Sequence, residues 1–168
     1  MNDIETVIAK RRSVRSFNDK TVETEKLESI LNSCIYAPTG MNKQTLFFVI
    51  LQDKDKLNEL YTKIPGVERC FYHCDAILFT LVRHDDHLNQ LNCGAAIENG
   101  LLTATSLGVS SCWIHCAIDL LDTEEGRKAL KDILELDKEY HVMDCIALGY
   151  TDNIPDAKVR NLDGNKIL

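Results

Sequence analysis

A continuous apolar run of strand length, Leu46–Leu51 (LFFVIL), and a second segment that reads as a buried strand, Ala76–Val82 (AILFTLV), stand out along the chain. With two further apolar segments, residues 109–115 and His141–Gly149, they predict four strands. Helical patterns fill the intervals. Asp3 is placed to cap a short helix running to about Lys10. A second helix starts at Thr24, with Leu27, Ile30, Leu31 and Cys34 on one face, and stops before Pro38-Thr39-Gly40. Asp53 caps a third, to about Lys63, which Pro65-Gly66 ends. Residues 86–107 predict the longest helix, about 33 Å at 1.5 Å per residue, with Gly108 in the C-terminal role. Between Leu88 and Leu107 its only charge is Glu98. Such a helix is buried nearly all round. A small domain has trouble doing that alone, which points to a subunit interface. Thr123 opens a last helix, to about Leu136, with Leu130, Ile133, Leu134 and Leu136 on its apolar side. Residues 150–168 show no period. There is no repeat and no linker, so residues 1–168 are expected to form one domain, an α/β or α+β sandwich.

Composition narrows the functional classes. The 168 residues carry 19 basic and 26 acidic side chains, a net charge of −7, which argues against a nucleic-acid-binding face. The seven cysteines are an odd number, most of them in apolar segments, as expected of free thiols in a reducing compartment, the cytoplasm. The polar start Met1-Asn2-Asp3-Ile4-Glu5 does not read as a signal peptide. The most apolar stretch, residues 101–118, is interrupted by Ser106, Gly108, Ser110, Ser111 and His115, too often for a membrane span.

Four segments carry candidate chemistry. Lys10-Arg11-Arg12-Ser13-Val14-Arg15 places four of the 19 basic residues within six positions. It reads either as a basic helix end complementing the helix dipole or as a phosphate site, where arginine forks bind bidentately and serine adds a neutral donor. The glycine-rich cradles for dinucleotides and nucleoside triphosphates are absent. Residues 37–44, Ala-Pro-Thr-Gly-Met-Asn-Lys-Gln, form a helix-to-strand connection or a loop offering amides to a planar heterocycle. Asn42 and Gln44 each carry a donor and an acceptor. Residues 107–116 read as a core strand and hold the only tryptophan, Trp113. Lys158-Val159-Arg160 reads as a solvated tail.

Taken in order, these segments resemble the nitroreductase family. Residues 10–17 look like its opening RRS-x-R-x-F signature, and 37–44 like its APS-x-x-N-x-Q loop. Residues 95–102 through 111–114 resemble its central helix and GSCWIG strand, and Ile146-Ala147-Leu148-Gly149-Tyr150 its closing IGY strand. The resemblance implies an α+β three-layer sandwich, with a central, mostly antiparallel sheet and helices on both faces. It also implies an intertwined homodimer binding FMN. Arg11, Arg12 and Ser13 match the family's FMN-phosphate ligands, and Lys158 and Arg160 the basic pair that closes on the same phosphate. Arg15 matches the basic residue beside the flavin N1–C2=O edge, where it would stabilise the negative charge that two-electron reduction places there. Pro38, Thr39, Gly40, Asn42 and Gln44 match the family's loop that reaches the flavin from the other subunit. Ile114, His115 and Cys116 match the strand end near N5.

The implied activity is ping-pong transfer of two electrons from NAD(P)H to a nitroaromatic, quinone or similar conjugated acceptor. The alternative is a non-catalytic flavin-binding protein of the same fold. Two departures stand out. Gln44 is followed by Thr45-Leu46 where the family usually has Pro-Trp, and His115-Cys116 replace a common glycine. The backbone of His115 and Cys116 is expected to serve N5, with His115 as a proton donor the other possibility. Arg69 is a candidate for the pyrimidine edge. Cys70, His73 and Cys74, or Cys112, His115 and Cys116, form no matched pair of zinc knuckles, and Cys112-x-x-x-Cys116 differs from a Cys-x-x-Cys redox motif. No metal site is expected.

Overall fold

The computed structural model describes residues 2–84, 86–161 and 163–167. The four apolar segments form strands β1 (Leu46–Leu51), β2 (Ala76–Val82), β3 (Ser110–Ile114) and β4 (His141–Gly149). They pair antiparallel throughout, in the order β1-β2-β4-β3. Every residue of β2 is buried, as its largely apolar sequence, interrupted only by Thr80, requires of a central strand covered on both faces. Alternation along the strands divides the interior in two. Ile77, Phe79, Leu81, Cys145 and Ala147 point into one core, and Ala76, Leu78, Ile146 and Leu148 into the other.

Helices α2 (Thr24–Ile35) and α5 (Asn89–Ser106) close the second core, and α1 (Asp3–Lys10) packs along α5. The first core is closed by α3 (Lys54–Lys63), α4 (Glu68–Phe71), α6 (Ile118–Leu121) and α7 (Glu124–Ile133). The result is the α+β sandwich with helices on both faces. Gly100 lets α5 approach both its neighbours: a Cβ there would stand 2.7 Å from Cys34 Sγ on α2 and 2.9 Å from Ile146 Cδ1 on β4.

Several boundaries differ from the sequence expectation. Asn2, not Asp3, caps α1: its side chain accepts from Glu5 N at 2.9 Å, while Glu5 accepts from Asn2 N at 2.7 Å. This reciprocal capping box satisfies two orphan donors at once. The longest helix begins at Asn89 rather than 86, because Asp86 first makes a side-chain turn, accepting from Leu88 N at 2.9 Å. Its other oxygen holds Lys43 Nζ at 2.7 Å. The last helix ends at Ile133 rather than 136, and Glu135 takes a left-handed backbone at φ 54°. Asp53 and Thr123 cap α3 and α7 as expected. The single-turn helices α4 and α6 were not foreseen.

Within the single chain α5 is not buried all round. Its buried face runs through Cys93, Ala96, Ile97, Gly100, Leu101 and Ala104. Leu91 is exposed, and Leu102 and Thr103 join Ile4 and Val7 of α1 in an open apolar hollow. Among the described residues no helix is long and apolar enough to cross a membrane.

Candidate cofactor site

The basic segment leaves α1 and is laid against the edge strand β3. Ser13 bridges to Ser111, and Val14 N donates to Ser111 O at 2.9 Å, with the Val14 side chain buried. A hydrophobic residue within the basic segment thus anchors the backbone, and Arg12, Ser13 and Arg15 are left to line open space. The open space beside them is a cavity of about 760 Å³, within the range of small-molecule sites. Arg11, Arg12, Ser13 and Arg15 line it, and so do Lys158 and Arg160 from the far end of the chain. Five cations therefore face two acids, Glu98 and Asp156. In a chain of net charge −7, that is a local reversal of sign that favours an anion.

The arginines are partly engaged. Arg12 Nη1 donates to Ala9 O at 2.7 Å and to Arg11 O at 2.8 Å, closing the C-terminal carbonyls of α1. The helix-end reading therefore holds for Arg12, but it uses one nitrogen of a five-donor fork. Arg11 Nη1 donates to Ser13 Oγ at 3.4 Å, and its Nε lies 4.0 Å from Glu98 Oε1. Arg15 Nη1 donates to Ser13 O at 3.5 Å. These long contacts leave most of the cationic hydrogen-bonding capacity free.

Residues 38–44 lie outside this cavity. Gly40 N donates to Asn92 Oδ1 at 3.0 Å, and Thr45 Oγ1 to Asn89 Oδ1 at 2.9 Å, docking the loop on the first half of α5. Thr39 Oγ1 accepts from Gln44 N at 3.1 Å, and Gln44 Nε2 donates to Asn42 Oδ1 at 3.1 Å. Met41, Asn42 and Gln44 have φ of 54°, 53° and 49°. Three left-handed non-glycine residues in so short a loop mark strain of the kind that gathers at ligand clamps.

The end of β3 does not line the cavity either. Ile114 is buried in the core, so only its backbone is available to a ligand. Cys116 is exposed. His115 Nδ1 lies 2.7 Å from Asp144 Oδ1 on β4. Arg69 is exposed beside Glu68 and outside the cavity. Asp144, Glu98 and Asp156 escaped sequence reasoning as site residues. Among the described residues, no three His, Cys, Asp or Glu side chains converge to hold a metal ion. Burial pushes the thiols of Cys34, Cys74 and Cys93 up to about 12.

The architecture defines a class: an α+β sandwich whose candidate ligand site is a cationic cavity where the first helix turns onto the sheet edge. The Nitroreductase family model matches residues 8–66 and 74–150, and the chain belongs to that family. A crystal structure of a nitroreductase with bound FMN from Bacteroides fragilis is 30% identical, with a TM-score of 0.89, covering 100% of both chains. A protein of Archaeoglobus fulgidus, named as a candidate NADH dehydrogenase/NAD(P)H nitroreductase, is 29% identical over 156 residues, 89% of this chain and 86% of its own length. An FMN reductase [NAD(P)H] of Bacillus subtilis is 25% identical over 165 residues, 89% of this chain and 66% of its own.

Proposed function

We propose that this chain is an NAD(P)H-dependent FMN oxidoreductase that reduces nitroaromatic, quinone or similar conjugated acceptors by a ping-pong route in the cytoplasm. The observation that carries the reading is the meeting of two basic clusters, Arg11–Arg12–Ser13 and Lys158/Arg160, in one cavity. Charge-assisted hydrogen bonds from several cations suit the terminal phosphate of a mononucleotide. FMN, when bound, accepts two electrons from NAD(P)H and releases them to the acceptor. The protein's contribution is to anchor the phosphate, to place Arg15 beside the flavin's N1–C2=O edge, and to leave one face open to NAD(P)H and acceptor in turn. The B. fragilis structure with bound FMN and the B. subtilis FMN reductase support the cofactor and the reaction class.

The working unit is a homodimer. Pro38, Thr39, Gly40, Asn42 and Gln44 reach the flavin of the partner, which accords with a strained loop docked away from its own chain's cavity. The apolar hollow between α1 and α5 and the exposed Leu91 supply surface for the contact.

Purified protein should be yellow and bind one FMN per chain, and NADH or NADPH should bleach it. Protein that holds FMN but leaves NAD(P)H unoxidised would be a flavin-binding protein without this activity. Protein that gains neither spectral change nor thermal stability from saturating FMN would refute the cofactor assignment. Light scattering should report twice the 19.0 kDa chain mass, and a monomer with FMN bound would refute the shared site.

A further inference from the structure

The register of β3 on β4 pairs Ile114 with Cys145, which sets His115 opposite Asp144 just past the end of the ladder. His115 Nδ1 and Asp144 Oδ1 are 2.7 Å apart. The two partners differ sharply in surroundings: the Asp144 side chain is 12% exposed and the imidazole 74%. The buried side of the carboxylate is furnished with neutral groups. The Cys93 thiol on α5 lies 3.9 Å from Asp144 Oδ2. Burial first, and then the Asp144 charge, push that thiol up to about 12, so it stays protonated as a donor. Thr80 on β2 is the cross-strand neighbour of Asp144, with its hydroxyl buried. Cys145 is held neutral by burial, and Asp144 also contributes there. No cation among these groups competes with His115 for the carboxylate.

We propose that His115 delivers a proton to the bound acceptor and that Asp144 is the residue that positions it. This rests on the reading that FMN binds here with the end of β3 at its N5 edge. It reverses the expectation that only the backbone of His115 matters. A carboxylate accepts, so the Asp144 contact fixes the hydrogen on Nδ1 and turns Nε2 outward. The pairing also locks a ring that an exposed position would otherwise leave to rotate. The reaction balances with one proton from the imidazole. A quinone gains two electrons and two protons; NAD(P)H supplies both electrons and one proton as a hydride equivalent, and His115 protonated on both nitrogens supplies the second from Nε2. The neutral imidazole, its Nδ1–H still on Asp144, regains a proton from water.

The first test needs neither cofactor nor turnover. Nitrogen-15 NMR of FMN-free protein at a pH where His115 is neutral should show the Nδ1–H tautomer. An Nε2–H tautomer would overturn the positioning role. The second test separates the half-reactions in FMN-loaded protein. H115A should slow single-turnover reoxidation by p-benzoquinone at least 100-fold, the range of a general acid, while NADH-driven reduction changes less than threefold. Added imidazole should restore part of the loss. D144N keeps the shape but presents a donor to Nδ1, and should slow reoxidation about 10-fold or more with the tautomer inverted. Reoxidation within threefold of wild type in both variants, with FMN bound, would overturn the proposal. Failure of the wild-type protein to bind FMN would instead strike the cofactor assignment, leaving the tautomer result to judge the pair.

Discussion

Replacing Arg12 by alanine removes one of the five cations in the cavity and also the two hydrogen bonds that close α1, to Ala9 O and Arg11 O. The two losses are separable. Both carbonyl contacts come from Nη1, so Nη2 and Nε can reach a phosphate without giving up the helix end. The phosphate interaction is therefore lost in full, about 1.5–3 kcal/mol for a charge-assisted hydrogen bond, or roughly 10- to 150-fold in affinity. The helix-end contacts are partly exposed, and losing them costs about 1 kcal/mol. That would lower the melting temperature of FMN-free protein by about 2–4 °C. Lys10 is the control: it stands two positions away in the same basic segment but does not line the cavity. Calorimetric titration with FMN at matched ionic strength should show a loss of at least 10-fold for R12A and less than threefold for K10A. Matching salt matters because surface charges are screened beyond about 8 Å at physiological strength. Equal, small effects from both substitutions would mean that the cluster is only a basic helix end, and the phosphate assignment would fall.

Thiol labelling of native, FMN-free protein should modify Cys116 quickly, because it is exposed, and the buried Cys34, Cys74, Cys93 and Cys145 only on unfolding; three or more fast thiols would contradict the described packing. The Tyr150 hydroxyl donates to Glu23 and is the first cause holding that carboxyl down at about 2. A depressed acid contributes stability that is complete above its unfolded value near 4.5 and is lost as pH falls towards 2. E23Q should therefore flatten the acid limb of the stability profile in that window, and an unchanged limb would exclude the contact. G100V forces atoms into the 2.7 Å gap to Cys34 and the 2.9 Å gap to Ile146; overpacking of about 1–3 kcal/mol should lower the melting temperature by several degrees, and a variant as stable as wild type would contradict the close approach of α5.

The strands were legible because Leu46–Leu51 and Ala76–Val82 are largely apolar runs of strand length; the run suits β2, which is covered on both faces, better than the edge strand β1, where only Leu51 is buried and Phe47 is exposed. Caps were legible where one side chain had one role, as at Asp53. Asp86 misled because its carboxylate serves a turn and Lys43 rather than a helix start. The helices α4 and α6 have four residues each, too few for a period. The first basic cluster could be read from its residues as a phosphate site, but Lys158 and Arg160 read as a solvated tail; only the family resemblance joined the two, because nothing in the spacing of Arg12 and Lys158 says that they meet. Asp144 was hidden for a related reason. In HVMDCIALG it occupies a polar slot of an apolar strand, and only the pairing register reveals that it faces His115.

The cavity draws its cations from residues 11–15 and 158–160, and all four strands lie between them in the chain. During synthesis the first cluster emerges early, and the second only after the last strand has left the ribosome. The sheet can close on itself before then, but the phosphate cannot be gripped from both sides. A chain clipped after Gly149 would keep every strand yet present only Arg11, Arg12 and Arg15 to the ligand. Residues 152–160 are exposed along their length, the setting in which proteases cut most readily. Loading with FMN should therefore protect this segment from proteolysis, and the amount of cofactor retained by a preparation should report the fraction of its chains with an intact tail.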